Sequence, residues 1–189
     1  MLPDYLKYKA DGTCEDSQVV LCGDCRFTVL TNKLLRIEQG EFCDRATLSV
    51  INRKLDKAAF CVSELNGVLT LQTEDLRLEY KVGTRISAET LSVTLLGNTA
   101  ETCNFGQKPL HNLGGTVTTL DEVNGAIPSD DGVCSLDGFA WVDDSKTPCF
   151  DDNGWFIPRT EGIIDSYCFG YGHHYADCVK DYYRLTGVP

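Results

Sequence analysis

A two-residue alternation between apolar and polar side chains constrains this chain more than any other feature. Leu76, Leu78, Tyr80 and Val82 alternate with Arg77, Glu79 and Lys81. Leu91, Val93 and Leu95 alternate with Thr90, Ser92 and Thr94 in the same way. Period two is the signature of a strand with one buried and one wet face. Asn66-Gly67 lies between the apolar runs 59–64 and 68–73. Asn and Gly both accept a positive φ, so this dipeptide predicts a tight hairpin. Further strands are expected over 26–31, 33–38 and 46–52. Many short strands joined by short turns point to an antiparallel sandwich or barrel, an all-β class.

Residues 98–136 read differently. They are rich in Gly, Asn, Asp and Thr, with one strand expected around 115–120 and a long loop over 121–131. Structureless loops of that length are uncommon without a function. Strands are expected again at 138–142, 155–157 and 162–169. Asp151-Asp152-Asn153-Gly154 supplies turn residues for another hairpin. The spacing there does not match a calcium-binding loop, because Cys149 would occupy the first ligand position. A helix is expected over 175–185, where Tyr175, Cys178, Val179, Tyr182 and Leu185 form one stripe on a 3.6-residue period. Gly187 and Pro189 are suited to end it.

With 189 residues the chain can hold one domain with a sizeable core, but not a sandwich plus a (β/α)₈ barrel, which alone takes about 250 residues. A net charge of −11 opposes binding to nucleic acid. No apolar run is long enough to span a membrane as a helix, and 1–17 has no hydrophobic core of a secretory signal. The ten cysteines admit two readings: a disulfide framework of an exported protein, or reduced thiols used as small apolar residues. Apolar neighbours (Phe60-Cys61-Val62, Tyr167-Cys168-Phe169), the lack of a glycosylation sequon and the polar N-terminus favour reduced thiols and a cytoplasmic location. Cys22 and Cys25 form a lone CxxC pair, and His111, His173 and His174 are poorly spaced to complete a zinc site. No metal and no cofactor is expected.

Three stretches together carry a family resemblance. The first is RFTVLTNKLLRIE over 26–38, followed by FCDRAT at 42–47 and VINR at 50–53. The second is NLGGT at 112–116, then Leu120-Asp121, Asn124-Gly125, DGVCSLDGF at 131–139 and DDS at 143–145. The third is FGYGH at 169–173, then Tyr175 and KDYYRLTG at 180–187. In this order and spacing the chain resembles glycoside hydrolase family 31, the α-glucosidase type. The resemblance covers most of the chain from Arg26 onward. Cys134 and Cys168 stand where the family usually carries larger apolar residues, and Phe139 where Trp is common.

The resemblance implies a galactose-mutarotase-like sandwich over 1–170. It also implies a helix over 171–189 that leads toward a catalytic (β/α)₈ barrel absent from this sequence. Family chemistry is retaining hydrolysis by two barrel aspartates, which must face each other about 5 Å apart across the sugar. The barrel motif is absent. Trp141-Val142-Asp143-Asp144-Ser145 only echoes it, so no residue here is expected to be catalytic. The loop over 121–136 is expected to line the substrate pocket, with Asp121, Asn124, Asp131 and Asp137 as candidate ligands for sugar hydroxyls. The expected partners are an α-glucoside and the missing barrel. As a fragment, the chain should expose an apolar patch around 163–169 and one face of the helix. As a free-standing carbohydrate-binding module, it should fold the helix back over its own stripe. A mutarotase-like enzyme is the weakest of the three readings, since none of the three His sits in an obvious strand setting.

Overall fold

The computed structural model describes residues 10–97, 101–115, 124–125, 127 and 129–187. Two five-stranded antiparallel sheets form the fold. Sheet one runs β1 (Val19–Cys22), β2 (Cys25–Thr31), β3 (Leu34–Gln39), β12 (Ile164–Phe169), β9 (Ala140–Asp143). Sheet two is a meander of β4 (Cys61–Leu65), β5 (Val68–Gln72), β6 (Leu76–Lys81), β7 (Leu91–Leu95) and β8 (Thr102–Asn104). A small hairpin, β10 (Cys149–Phe150) with β11 (Phe156–Ile157), lies outside both sheets. The single described α-helix is α1 (Tyr175–Thr186).

Alternation decides what packs where. Phe27 and Val29 of β2, Leu35 and Ile37 of β3, and Cys168 of β12 turn inward to meet Leu71, Leu78 and Val93 of sheet two. Each such buried side chain contributes roughly 1.5–3 kcal/mol. The β4–β5 turn is the expected one: Asn66 has φ 54° and Gly67 φ 76°, and Leu65 pairs with Val68 across it. The β10–β11 turn uses Asp151, whose carboxylate accepts the Asn153 and Trp155 amides at 2.8 Å each.

The opposite face of sheet one is also covered. Leu30, Leu34, Tyr167 and Phe169 point there and pack with Val50, Tyr171, Cys178 and Leu185. Here α1 folds back onto the sandwich. The Ile51 and Asn52 amides both donate to the Leu185 carbonyl, at 3.0 and 3.1 Å, and Asn52 Nδ2 donates to the Arg184 carbonyl at 3.0 Å. The Gly187 amide donates to the Tyr183 carbonyl at 2.8 Å and closes the helix.

Three expectations need correction or fall outside the description. The apolar patch around 163–169 is not exposed, because β12 lies between β3 and β9 with both faces covered. Residues 46–52 are not a strand. The Thr47 hydroxyl accepts the Val50 amide at 2.9 Å and the Thr47 amide donates to the Val50 carbonyl, which bends this segment into a turn over sheet one. The strand expected at 115–120 lies, beyond residue 115, outside the described residues.

Candidate functional site

The sandwich has an open edge where β9 ends sheet one and β8 ends sheet two. Phe105, just after β8, meets Trp141 of β9 edge-on, with ring centroids 5.2 Å apart. A cleft of about 860 Å³ opens beside this pair. Its walls come from 105–109, from Asn112, Asp131 and Gly132, from β9, and from 158–164 leading into β12. That volume is in the range of small-molecule sites. The lining mixes one large aromatic surface with carboxylates, amides and hydroxyls.

The polar rim is held by local chemistry. Asn112 Oδ1 accepts the amides of Gly114 and Gly132 at 2.8 Å each, and its Nδ2 donates to the Gly132 carbonyl at 2.9 Å. One Asn side chain thus clamps 112–114 to 131–132. The Leu113 amide donates to the Cys134 carbonyl and the Leu136 amide to the His111 carbonyl, extending the clamp as a backbone ladder. This ladder brings Asp131 to the cleft, where Lys108 pairs with it at 3.2 Å. Both partners are largely exposed, so the pair orients Asp131 more than it stabilises the fold.

The four predicted ligands have separate fates. Asp131 lines the cleft. Asn124 is exposed on the loop and is not among the lining residues. Asp137 turns into its own loop, where its carboxylate accepts the His111 amide at 2.7 Å and meets His111 Nδ1 at 3.1 Å. Those two contacts hold the Asp137 carboxyl below its ordinary range. Asp121 lies outside the described residues.

The adjacent acids diverge. Asp143 faces the cleft and accepts the Ser145 amide at 3.0 Å. Asp144 is fully buried on the other side, where the Thr47 hydroxyl donates to it, and burial raises its carboxyl pKa. Asp130 is exposed, and Asp152 pairs with Arg45 at 2.8 Å. None of these pairs presents two free carboxyls to one bond. Among the described residues no three His, Cys, Asp or Glu side chains gather as a metal site.

Sequence reasoning missed a buried charge network on the outer face of sheet one. Arg36 is fully buried and grips Asp165 through Nε at 2.8 Å and Nη2 at 2.7 Å, with Glu38 3.0 Å away. Arg159 adds a contact to Asp165 at 3.0 Å, and Arg26 grips Glu38 at 2.6 and 2.8 Å. Arg53 donates to the Tyr167 hydroxyl at 2.8 Å. Burial alone would raise the Asp165 carboxyl, but the Arg36 fork and the charges of Arg53 and Arg159 hold it below the ordinary range. Glu38, more weakly compensated and near Asp165, is raised by burial. These carboxylates are sealed from any substrate and serve the fold. Trp141 was also missed as a site residue. Its signal was a large aromatic in an otherwise modest strand.

Fold and site together define an antiparallel β-sandwich with a mixed aromatic and polar cleft at one open edge. No protein-family model matches the chain, and no curated protein does. Among solved structures the chain is similar to a mutant of the Flavobacterium johnsoniae GH31 dextranase complexed with isomaltotriose. That match has TM-score 0.53 and 15% identity, and covers 90% of this chain and 27% of that one. The same dextranase complexed with glucose gives TM-score 0.51 at 15% identity, again over 90% and 27%. At that identity the likeness is one of fold. The chain spans 27% of the length of the dextranase it matches.

Proposed function

We propose that this chain is the N-terminal sandwich domain of a family 31 glycoside hydrolase of the α-glucosidase type, and that it shapes an α-glucoside site without cleaving the substrate. The observation that carries this reading is the cleft at the β8–β9 edge, in a fold that matches a GH31 dextranase over 90% of the chain. Sugar rings present apolar faces that stack on an indole, and hydroxyls that pair with carboxylates and amides. Trp141, Asp131 and Asn112 bring those groups to the lining of the cleft. Asp121, which lies outside the described residues, and Asn124 are proposed as further ligands for the sugar hydroxyls. Asp137 holds the loop rather than the sugar. The barrel aspartates would come from the rest of the enzyme, packed against this domain.

One observation favours a second reading, a free-standing carbohydrate-binding module: α1 buries Cys178 and Leu185 on the chain's own sandwich and needs no further partner to do so.

Calorimetric titration with maltose, isomaltose and isomaltotriose, with glucose assayed in the same samples, tests both. Neither heat nor glucose is expected of a domain that completes its site only with the barrel. Saturable binding that Trp141→Ala abolishes, still without glucose, would move the assignment to the module. Glucose release would overturn both.

A further inference from the structure

Among the described residues six cysteines meet in three pairs. Cys103 and Cys168 are sealed between the sheets. The other two pairs join distant parts of the chain, with one member of each within reach of solvent. The sulfurs of Cys43 and Cys149 are 3.5 Å apart, linking the segment after β3 to β10 across a sequence separation of 106. Cys134 and Cys178 make reciprocal contacts. The Cys178 sulfur lies 3.3 Å from the Val133 carbonyl, and the Cys134 sulfur 4.0 Å from the Tyr175 carbonyl, one turn before Cys178. Each sulfur therefore touches the backbone beside the other. In these two pairs one member is half-buried (Cys43, Cys134) and the other is 2% exposed (Cys149, Cys178). A disulfide needs two sulfurs able to close to about 2.05 Å. The half-buried member of each of these pairs gives an external oxidant the access that the sealed Cys103–Cys168 pair lacks.

We propose that Cys43–Cys149 and Cys134–Cys178 are disulfide-forming pairs, oxidised in the folded protein by exchange with a small-molecule disulfide of the glutathione class. The half-buried thiol of each pair reacts first. Its thiolate attacks one sulfur of the external disulfide, expels one thiolate and leaves a mixed disulfide. The buried partner then loses its proton, attacks the protein sulfur of that mixed disulfide and expels the second thiolate. Two protein thiols give up two electrons and two protons, and one external disulfide is reduced to two thiols. At the first pair, burial pushes the Cys149 thiol up to about 11, and the positive charge of Arg159 works against that rise. The bridges would fasten the outer layer to the sandwich, one at the segment after β3 and one at α1. The second sits three residues beyond Asp131, so it would also fix the wall of the cleft. Cys103 and Cys168 are sealed at 0% exposure between the sheets and stay reduced as the internal control. Cys25 is engaged with the Tyr80 hydroxyl at 3.2 Å and is not part of the proposal.

The test is to treat the folded, reduced chain with oxidised glutathione, alkylate it, digest it without reductant and map linked peptides by mass spectrometry. Two links are expected, 43 to 149 and 134 to 178, each removing about 2 Da. The thermal midpoint should rise by about 5–15 °C and fall back with reductant. Cys43→Ser and Cys134→Ser, both at half-buried positions, should each delete one link and leave the other. Four alkylated thiols, glutathione adducts at Cys43 and Cys134 without links, or links among other cysteines would overturn the proposal and leave the reduced-thiol reading in place. None of these outcomes depends on sugar binding, so this test and that of the proposed function fail independently.

Discussion

Arg36 concentrates the energetics of the outer layer in one side chain. It is fully buried, its fork is spent on Asp165, and its Nη2 also reaches the Cys43 carbonyl at 2.9 Å. Replacing Arg36 with Ala leaves Asp165 and Glu38 in a dry site with only Arg26, Arg53 and Arg159 nearby. The expected loss is about 3–5 kcal/mol, read from the urea midpoint, because two buried carboxylates then lose the cation they share and Arg159 and Arg26 compensate them only in part. Adding Asp165→Asn to that variant should recover part of the loss, and a further loss would contradict this account. At the surface, Lys54 and Thr13 hold the Asp11 carboxyl at about 2, against 3.8 in the unfolded chain. Between those values the unfolded state takes up a proton that the folded state refuses. The contribution of Asp11 is therefore complete above about pH 4 and lost as pH falls toward 2. Wild type should be more stable than Asp11→Asn at pH 5, with the difference vanishing near pH 2. Denaturant titrations at both pH values check this, and a difference that grows on acidification would refute it.

At the scale of elements, α1 separates what a periodic pattern can reveal from what it cannot. The stripe Tyr175, Cys178, Val179, Tyr182, Leu185 located the helix, which runs Tyr175–Thr186. It did not rank the stripe. Leu185 is 1% exposed and its carbonyl accepts two amides, whereas Val179 is 38% exposed. Leu185→Ala should cost about 2–5 kcal/mol through the cavity it leaves, and Val179→Ala well under 1 kcal/mol. Equal losses in chemical denaturation would mean that the helix packs differently. The β4–β5 and β10–β11 hairpins were legible because Asn66-Gly67 and Asp151 to Gly154 carry their turn geometry in the residues themselves. Residues 46–52 were not. Their apolar spacing resembles a strand, but Thr47 and Val50 bond each other locally, and only the finished sheet supplies the surface they cover.

For the whole molecule, sheet one is the shared middle layer: sheet two packs on one face, and α1 with the 43–53 segment packs on the other. This also explains what the sequence concealed. Arg26, Arg36 and Glu38 alternate with apolar residues and read as a wet face, yet that face is buried. Its cover comes from segments far along the chain, so no local pattern announces it. The cleft was legible only through Asp131, because Trp141 and Lys108 meet there by strand order rather than by sequence proximity. A shared middle layer should also make unfolding one event. The chain has two tryptophans, and Trp155 is 55% exposed on the outer hairpin while Trp141 packs against the inner core. In Trp155→Phe, emission reports Trp141 alone. Adding Leu185→Ala, a lesion confined to the outer layer, should move the Trp141 transition and the far-ultraviolet dichroism transition together to lower urea. If the layers were independent, the dichroism would split and Trp141 would keep its midpoint. Coincident shifts are expected, because β12 contributes Cys168 to one core and Tyr167 and Phe169 to the other, so neither core can melt while the strand stays in place.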